Sequence, residues 1–159
     1  MIFHFASDKD KIENMLEEHQ RWTEDKVVFT NGCFDIFHAG HVTLLNKSKD
    51  LGDILIVGLN SDESVKLLKG DKRPINSQED RAYLLSSMRA VDYVIIFDDY
   101  SVLDLIKFIK PNIITKGGDY TPEQLAEDGG NFMKEIGGEL VIIPITKNTS
   151  TTKIINKIK

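Results

Sequence analysis

Hydrophobic residues along this chain fall into short runs that alternate with longer stretches of mixed apolar and polar positions. Five runs are rich in valine and isoleucine without polar alternation, at residues 27–31, 53–59, 92–97, 112–116 and 139–145. Such runs are typical of strands that are buried on both faces of a parallel sheet. The mixed stretches predict helices at about residues 40–51, 61–68, 77–89, 101–110, 121–136 and 151–158.

The alternation of strands and helices predicts the class of fold and the place where a ligand binds. It indicates an α/β fold with a doubly wound five-stranded parallel sheet of order 3-2-1-4-5 and helices on both faces. In such sheets ligands bind outside the carboxyl ends of strands 1 and 4, where the strand order reverses. The loops after these strands, at residues 30–32 and 115–120, both contain glycine and are expected to face one crevice.

The N-terminal residues carry a helical pattern of their own. Residues 8–22 form an amphipathic pattern with Ile12, Met15, Leu16 and His19 on one side. We therefore divide the chain into an N-terminal helical extension at 1–25, which precedes the core, and one domain at 26–159. The extension is interpreted as a packing or dimer-contact helix, and His19 is expected at the surface.

The composition is that of an ordinary globular protein and narrows the class of function. The 159 residues are 41% hydrophobic and 28% charged, with a net charge of −5. The negative charge argues against a nucleic-acid-binding surface, and no apolar run is long enough to cross a membrane. The start lacks the basic segment of a secretory signal, and the single cysteine, Cys33, fits a reducing compartment. We therefore expect a cytoplasmic protein whose partners are neither nucleic acid nor membrane.

Two histidines stand where the first predicted strand ends and a helix begins. His38 and His41 are three residues apart in the segment 31–41, so they share one face of the helix start. A helix N-terminus presents free N–H groups and the positive end of its dipole, and Gly40 lets a ligand approach the backbone. The segment therefore predicts a site for a phosphate chain, to which both imidazoles hydrogen bond. Metal binding is the competing role, although no matching cysteine or carboxylate ligand is evident.

The string at residues 29–42 resembles a known enzyme family. Its core at 38–41 reads H-A-G-H, which is similar to the H-x-G-H signature of the nucleotidyltransferases that include cytidylyltransferases, pantetheine-phosphate adenylyltransferase and class I tRNA synthetases. The longer string resembles the adenylyltransferases that make ADP-heptose for bacterial lipopolysaccharide, and the resemblance covers about residues 26–159. It implies a Rossmann-like enzyme that transfers AMP from ATP to a heptose 1-phosphate, with Mg²⁺ as cofactor and a homodimer as assembly.

Two basic segments further along resemble the same family. The loop at residues 66–76 combines charge, glycine and proline, and the resemblance implies that it closes over phosphates, with Lys69 and Arg73 in contact with ligand. Arg81 lies in the first turn of a predicted helix, where a cation opposes the helix dipole, so an anionic nucleotide would explain it. The alternatives are a solvated turn for the loop and a salt bridge with Asp80 or a neighbouring acid for Arg81.

Two more segments extend the resemblance. Residues 116–120 read K-G-G-D-Y, as in the family, which implies contacts with nucleotide or substrate at the end of strand 4. Residues 150–152 place three hydroxyl groups at a helix start and resemble the element that holds the β- and γ-phosphates in relatives. There are two departures. Asn148 stands where relatives have glycine, and Ile145 replaces the arginine typical of glycerol-phosphate cytidylyltransferases.

Together these segments define the predicted site. The predicted catalytic residues are His38, His41 and Lys69. The predicted nucleotide-binding residues are Thr30, Asn31, Gly32, Phe34, Gly40, Arg81, Lys116, Gly117, Ser150, Thr151 and Thr152. The predicted substrate-binding residues are Asp35, Arg73, Gly118 and Asp119. No set of metal ligands is predicted.

The implied reaction needs no general base from the protein. A sugar 1-phosphate has a second pKa of about 6, so at neutral pH its oxygen is already a nucleophile toward the α-phosphorus of ATP. The protein then has to align two phosphates and neutralise charge, and Mg²⁺ needs few protein ligands because it keeps water. Two other functions stay open: a cytidylyltransferase for glycerol 3-phosphate or another small alcohol phosphate, and a non-catalytic nucleotide-binding module.

Overall fold

The computed structural model describes residues 1–99, 101–118, 120–145 and 150–159. Its strands are β1 (Ile2–His4), β2 (Val27–Gly32), β3 (Ile54–Asn60), β4 (Tyr93–Phe97), β5 (Ile113–Gly117) and β6 (Glu139–Ile143). Its helices are α1 (Lys9–Glu17), α2 (Ala39–Asp50), α3 (Asp62–Lys69), α4 (Gln78–Ser86), α5 (Leu103–Ile109), α6 (Pro122–Leu125), α7 (Asn131–Glu135) and α8 (Thr151–Ile158). A π-helical turn at Glu18–Trp22 follows α1, and another at Ala126–Gly130 joins α6 to α7.

The six strands of the described residues form one parallel sheet in the order β1-β4-β3-β2-β5-β6. The five predicted strands correspond to β2 through β6 and take the predicted order 3-2-1-4-5. The predicted count is wrong, because β1 adds a strand beside β4, with Ile2 opposite Val94 and His4 opposite Ile96. At three residues β1 is too short to produce a hydrophobic run, so the sequence pattern does not reveal it.

Helices cover both faces of the sheet, as predicted. Successive residues of β2 point to opposite faces. Val27 and Phe29 pack into a core that contains buried residues of α1 and α5, whereas Val28 packs with residues of α2 and α4. Among the described residues, no helix combines the length and the apolar character needed to cross a membrane.

The N-terminal extension is part of the core, which corrects the expectation that it precedes the core. Ile12 is fully buried, and Met15 and Leu16 are nearly so, in the same cluster as the sheet residues. The expected surface position of His19 is also wrong. Its side chain is 17% exposed and makes 2.8 Å hydrogen bonds to the carboxylate of Asp25 and the hydroxyl of Tyr93. The extension therefore supplies a strand, a helix and a polar link to β4.

The predicted helix at 121–136 is interrupted. Gly129 has φ +115°, a conformation that side chains other than glycine rarely adopt, and it separates α6 from α7. A Cβ at this position would also approach Ile106 to 3.1 Å. The predicted start of this segment is confirmed, because Thr121 and Gln124 form a reciprocal capping box.

Candidate active site

A cleft of about 740 Å³ opens at the carboxyl ends of β2 and β5, where the strand order reverses. This is the crevice that the sequence predicts. The predicted site residues that line it are Asn31, Gly32, Phe34, Asp35, His41, Lys69, Arg73, Lys116, Ser150, Thr151 and Thr152. The ends of β2 and β5, the end of α3 and the start of α8 therefore meet at one place.

His38 and His41 lie at the start of α2, where backbone N–H groups fix their rings. The Nδ1 of His38, the N-cap residue, accepts a hydrogen bond from the Gly40 N–H at 3.1 Å. The Nδ1 of His41 accepts one from the His38 N–H at 3.3 Å. The rings stack with centroids 3.7 Å apart, and His41 lines the cleft. Since a backbone N–H can only donate, we assign the proton of each neutral ring to Nε2.

The Nε2–H groups of both histidines are available to a ligand. Within the described part of the chain neither Nε2 has a hydrogen-bond partner. Every buried side-chain nitrogen there does have a partner, so both Nε2 atoms are accessible to solvent. Burial lowers the pKa of both rings, and burial together with the neighbouring His38 lowers the pKa of His41 to about 4. At neutral pH both rings are therefore uncharged donors, which suits hydrogen bonding to phosphate oxygens.

Gly40 and Gly117 pack around the histidine helix and, like His38, are not among the residues that line the cleft, so the structure gives the two glycines a packing role and their contact with nucleotide stays a prediction. A Cβ at Gly40 would lie 2.9 Å from the His38 ring, and one at Gly117 would lie 2.6 Å from Ile145. Gly118 has φ +102° and turns the chain after β5. It does not line the cleft either, so the structure shows its role in this turn and its contact with substrate stays a prediction.

Lys116 and Asn31 join the ends of β5 and β2. The Nζ of Lys116 donates to Asn31 Oδ1 at 3.0 Å, and the lysine is only 6% exposed. Burial lowers the pKa of the ammonium, an effect that Asp128 opposes. Among the described residues this lysine forms no ion pair, so an anionic ligand would complete its surroundings. Thr30 differs from its prediction, because its buried hydroxyl donates to the Thr115 carbonyl at 3.1 Å and joins β2 to β5.

The carboxylate of Asp35 is held by protein donors, so the structure gives it a positioning role in place of the predicted contact with substrate, although the residue itself is among those that line the cleft. Its side chain has no exposed surface and accepts hydrogen bonds from Arg73, Ile75 and Asn76. Burial alone raises the pKa of this carboxyl, but the hydrogen bonds from Asn76, Ile75 and Arg73 outweigh burial and hold the pKa below its usual value. The buried group is therefore a carboxylate that holds the loop after α3.

Arg81 is committed to protein acceptors, which corrects its predicted contact with nucleotide. It is 2% exposed and does not line the cleft. Its Nη1 donates to the carbonyls of Cys33 and Asn60 at 2.8 Å, and its Nε donates to the carbonyl of Asn76 at 3.0 Å. Its Nη2 pairs with Asp62 at 2.8 Å. The residue positions the loop after β2 against the end of β3 and the start of α4.

The start of α8 brings hydroxyl groups to the cleft. Ser150 is the N-cap, and its Oγ accepts from the Lys153 N–H at 3.1 Å. The hydroxyl of Thr151 donates to the Ile36 carbonyl at 3.1 Å, which ties α8 to the histidine segment, and Thr152 also lines the cleft. The predicted contact of Asp119 and the departure at Asn148 lie outside the described residues.

Several cleft residues were missed by sequence reasoning. Glu127 and Asp128 line the cleft from the turn that joins α6 to α7, beside the break at Gly129, and the Gly129-Gly130 pair is a turn signal that the predicted continuous helix ignored. Tyr120 lines the cleft too, at the end of the segment 116–120 for which the resemblance implies ligand contacts. Cys33 lines it too, and burial raises the pKa of its thiol, which agrees with a packing residue rather than a nucleophile. The remaining unpredicted lining residues are Asn60, Leu68, Phe97, Ser101 and Val102.

The described residues hold no group of three or more His, Cys, Asp or Glu side chains placed to bind a metal ion. Magnesium requires few protein ligands when phosphates and water supply the others. The carboxylates of Glu127 and Asp128 line the cleft and are the oxygen donors that magnesium prefers. The donor set therefore fits a magnesium ion carried by a nucleotide better than one held by the protein alone.

The chain matches the family model described as cytidylyltransferase-like over residues 29–157. It is 49% identical over 156 residues to the bifunctional protein HldE of Nitratiruptor sp., and 50% identical over 150 residues to that of Helicobacter pylori. These matches cover 98% and 94% of the chain but 32% and 30% of the relatives. The chain thus spans about a third of the length of these curated relatives.

Two solved structures share the fold. The lipopolysaccharide core biosynthesis protein of Thermoplasma volcanium is 30% identical, with a TM-score of 0.63 over 79% of this chain and 99% of that one. The pantoate-beta-alanine ligase of Francisella tularensis, complexed with beta-gamma ATP and beta-alanine, has a TM-score of 0.66 over 99% of this chain and 78% of that one. At 16% identity this second likeness shows the fold alone. With the match over residues 29–157, the chain belongs to the cytidylyltransferase-like family and is a nucleotidyltransferase.

Proposed function

We propose that this chain transfers AMP from ATP to a heptose 1-phosphate, giving ADP-heptose and pyrophosphate for lipopolysaccharide or surface polysaccharide precursors. The observation that carries the proposal is the meeting, in one cleft, of His41, whose neutral ring stacks on that of His38, with the hydroxyl-rich start of α8. Both features donate hydrogen bonds, and both resemble the phosphate-binding elements of nucleotidyltransferases.

In the proposed reaction an oxygen of the sugar phosphate attacks the α-phosphorus of ATP. A new P–O bond forms, the bond from the α-phosphorus to the oxygen bridging to the β-phosphate breaks, and pyrophosphate leaves with the bonding electrons. Because the second pKa of a phosphate monoester is about 6, the nucleophile is ionised at neutral pH and no protein base is required. The Nε2–H groups of His38 and His41, the ammonium of Lys69 and the N–H groups at the start of α8 stabilise the developing charge.

ATP is proposed to bind as its magnesium complex. The ion would neutralise phosphate charge when bound, and the oxygen donors in the cleft are those of Glu127 and Asp128. The buried ammonium of Lys116 would face the phosphate part of a ligand, since it lies at the end of β5 without an ion pair among the described residues.

The choice of heptose rests on the segments at 29–42, 69–76, 116–120 and 150–152, which together resemble the adenylyltransferases that make ADP-heptose. The similar protein of Thermoplasma volcanium is described as a lipopolysaccharide core biosynthesis protein, which agrees with this choice. Ile145, which takes the place of the arginine of the glycerol-phosphate branch, approaches both Gly40 and Gly117 in the structure. An arginine there would require these close contacts to be rebuilt.

A pyrophosphate-release assay over ATP, CTP and GTP tests the proposal, with each anomer of D-glycero-D-manno-heptose 1-phosphate and glycerol 3-phosphate as acceptors. We expect turnover with ATP and a heptose 1-phosphate. Turnover only with CTP and glycerol 3-phosphate would overturn the heptose assignment and retain nucleotidyl transfer. Pyrophosphate from no pair would favour a non-catalytic nucleotide-binding module.

The assembly and the compartment are also proposals. We infer a homodimer from the family resemblance. We infer a cytoplasmic location from the single cysteine, which fits a reducing compartment. Light scattering coupled to size-exclusion chromatography tests the assembly, and a monomer at micromolar concentration would contradict it.

A further inference from the structure

The carboxylate of Asp35 is the centre of a hydrogen-bond network between two loops of the cleft. Its side chain is completely buried and lies in the loop after β2, ahead of the histidine pair. It accepts from Arg73 Nε at 2.7 Å, from the Ile75 N–H at 2.8 Å and from the Asn76 N–H at 2.9 Å. All three donors come from the loop between α3 and α4, about forty positions further along the chain.

Asn76 makes this connection tighter, because it is held from three sides. Its backbone N–H donates to the Asp35 carboxylate, its side-chain amide donates to the Asp35 carbonyl at 2.6 Å, and its own carbonyl accepts from Arg81. Arg81 in turn holds the carbonyl of Cys33, two residues before Asp35. The loop at 73–76 is therefore fixed to the histidine loop rather than free in solvent, which corrects the alternative of a simple solvated turn for this part of the segment.

The network leaves one half of the Arg73 guanidinium unused. Its Nε is bound to Asp35, its side chain is 16% exposed, and the residue lines the cleft. Within the described residues its two terminal nitrogens make no hydrogen bond. Every buried side-chain nitrogen there has a partner, so these two nitrogens are accessible from the cleft. A guanidinium held through Nε presents its terminal N–H groups as a planar fork, which matches the oxygens of a phosphate.

We propose that Asp35 is a positioning residue that aims the terminal N–H groups of Arg73 at a phosphate in the cleft. This inference rests on the proposed function, which supplies two phosphate sources: the triphosphate of ATP and the phosphate of the acceptor sugar. The completely buried carboxylate of Asp35 contacts neither phosphate in this proposal. Its effect on the reaction passes through Arg73, whereas its bonds to Ile75 and Asn76 contribute to folding.

A double-mutant cycle separates these two effects. Asp35→Asn, Arg73→Ala and the double variant are compared by kcat and KM for both substrates, with thermal unfolding measured for each. We expect each single variant to lower kcat/KM by about 10²-fold, the usual cost of a misplaced catalytic contact. In the Arg73→Ala background Asp35→Asn should change kcat/KM by no more than roughly twofold, because the residue through which Asp35 acts is already absent. A difference of that size lies within the margin to which independent mutational effects add. An equal loss in both backgrounds would overturn the proposal.

Asp71→Asn is the matched control, because Asp71 is an exposed carboxylate of the same loop. It should leave kcat/KM and both KM values unchanged. Arg73→Lys keeps the charge but lacks the fork, so it should lose about as much as Arg73→Ala. This variant keeps the proposal testable if Asp35→Asn does not fold, and wild-type kinetics for Arg73→Lys would overturn the fork geometry.

Calorimetric binding identifies the phosphate and does not depend on turnover. Inorganic pyrophosphate and D-glycero-D-manno-heptose 1-phosphate are titrated separately into the wild type, Asp35→Asn and Arg73→Ala. Loss of pyrophosphate binding would assign Arg73 to the nucleotide, and loss of sugar-phosphate binding would assign it to the acceptor. Unchanged binding of both ligands overturns the proposal. A wild type that binds them and releases no pyrophosphate in the assay would instead overturn the proposed function alone.

Discussion

The histidine pair shows how single residues set the chemistry of the cleft. Both Nδ1 atoms accept hydrogen bonds from backbone N–H groups at the start of α2, so protonation of either Nδ1 would remove a cap of the helix. The two rings also stack, which makes two positive charges side by side unfavourable. These constraints favour two neutral rings with Nε2–H groups, whose role is hydrogen bonding rather than charge.

The low pKa of His41 predicts a specific dependence of stability on pH. Above pH 6.5 the ring is neutral in both the folded and the unfolded chain. Between pH 6.5 and about 4 the unfolded chain binds a proton that the folded chain does not, so the free energy of unfolding falls as the pH falls. Relative to His41→Asn, the wild type should lose on the order of 2–3 kcal/mol between pH 7 and pH 4. Urea unfolding of both proteins across this range measures it, and parallel curves would contradict the low pKa.

The same residue should matter more for turnover than for nucleotide binding. Replacing His41 with alanine removes a donor proposed to act mainly in the transition state, so kcat should fall by about 10²–10³-fold while KM for ATP changes much less. His4→Ala is the control, because His4 is exposed on the edge strand β1. Steady-state kinetics with ATP and heptose 1-phosphate measure the effect. Wild-type kcat for the His41 variant would remove the histidine pair from the mechanism.

Sequence reasoning at this scale succeeded where local spacing defines the geometry. The positions of His38, His41 and Ser150 follow from a strand end or a helix start. It did not find the protein partners of Arg81 and Asp35, because most of them lie about twenty to fifty positions away along the chain. The sequence alone does not distinguish a charged residue that binds protein groups from one that binds a ligand. Burial decides between those roles, and burial depends on tertiary packing.

At the scale of secondary structure, α4 supports the loops around the cleft through Arg81. This side chain satisfies the carbonyls of Cys33, Asn60 and Asn76, and thereby joins the loop after β2, the end of β3 and the loop before α4. Strand and helix positions were predicted within a few residues, since alternating apolar runs report them directly. The break at Gly129 was not predicted, although two successive glycines, Gly129 and Gly130, are a turn signal, because the mixed apolar and polar pattern on both sides was interpreted as one continuous helix.

Replacing Arg81 with methionine should therefore destabilise the packing of these elements against one another. The variant leaves three carbonyl groups without their donor and Asp62 without its partner, so the free energy of unfolding should fall by about 3–5 kcal/mol. Arg89→Met is the matched control, because Arg89 is exposed. Urea denaturation of both variants measures the difference. An equal, small effect of the two substitutions would show that the buried guanidinium is dispensable.

At the scale of the whole molecule, the sheet separates the site from the N-terminal extension. The cleft lies at β2 and β5, whereas β1 is on the far edge, three strands from β2. With about 4.8 Å between neighbouring strands, that separation is roughly 14 Å. The order of the five main strands follows from the alternation of strands and helices, but the addition of β1 depends on pairing between Ile2–His4 and β4, which no local pattern reports.

The extension should consequently affect stability without affecting catalysis. Ile12 is fully buried in the core shared by α1, α5 and the sheet, so Ile12→Ala should lower the free energy of unfolding by about 2–5 kcal/mol. Glu13→Ala, at an exposed position of the same helix, should change it little. Both variants should keep wild-type KM for ATP at a temperature where they are folded, because the residues that line the cleft come from other elements. A large rise in KM for Ile12→Ala alone would show that the extension and the cleft are coupled through the sheet. An unchanged free energy of unfolding for Ile12→Ala would show that the helix in residues 1–25 lies outside the core.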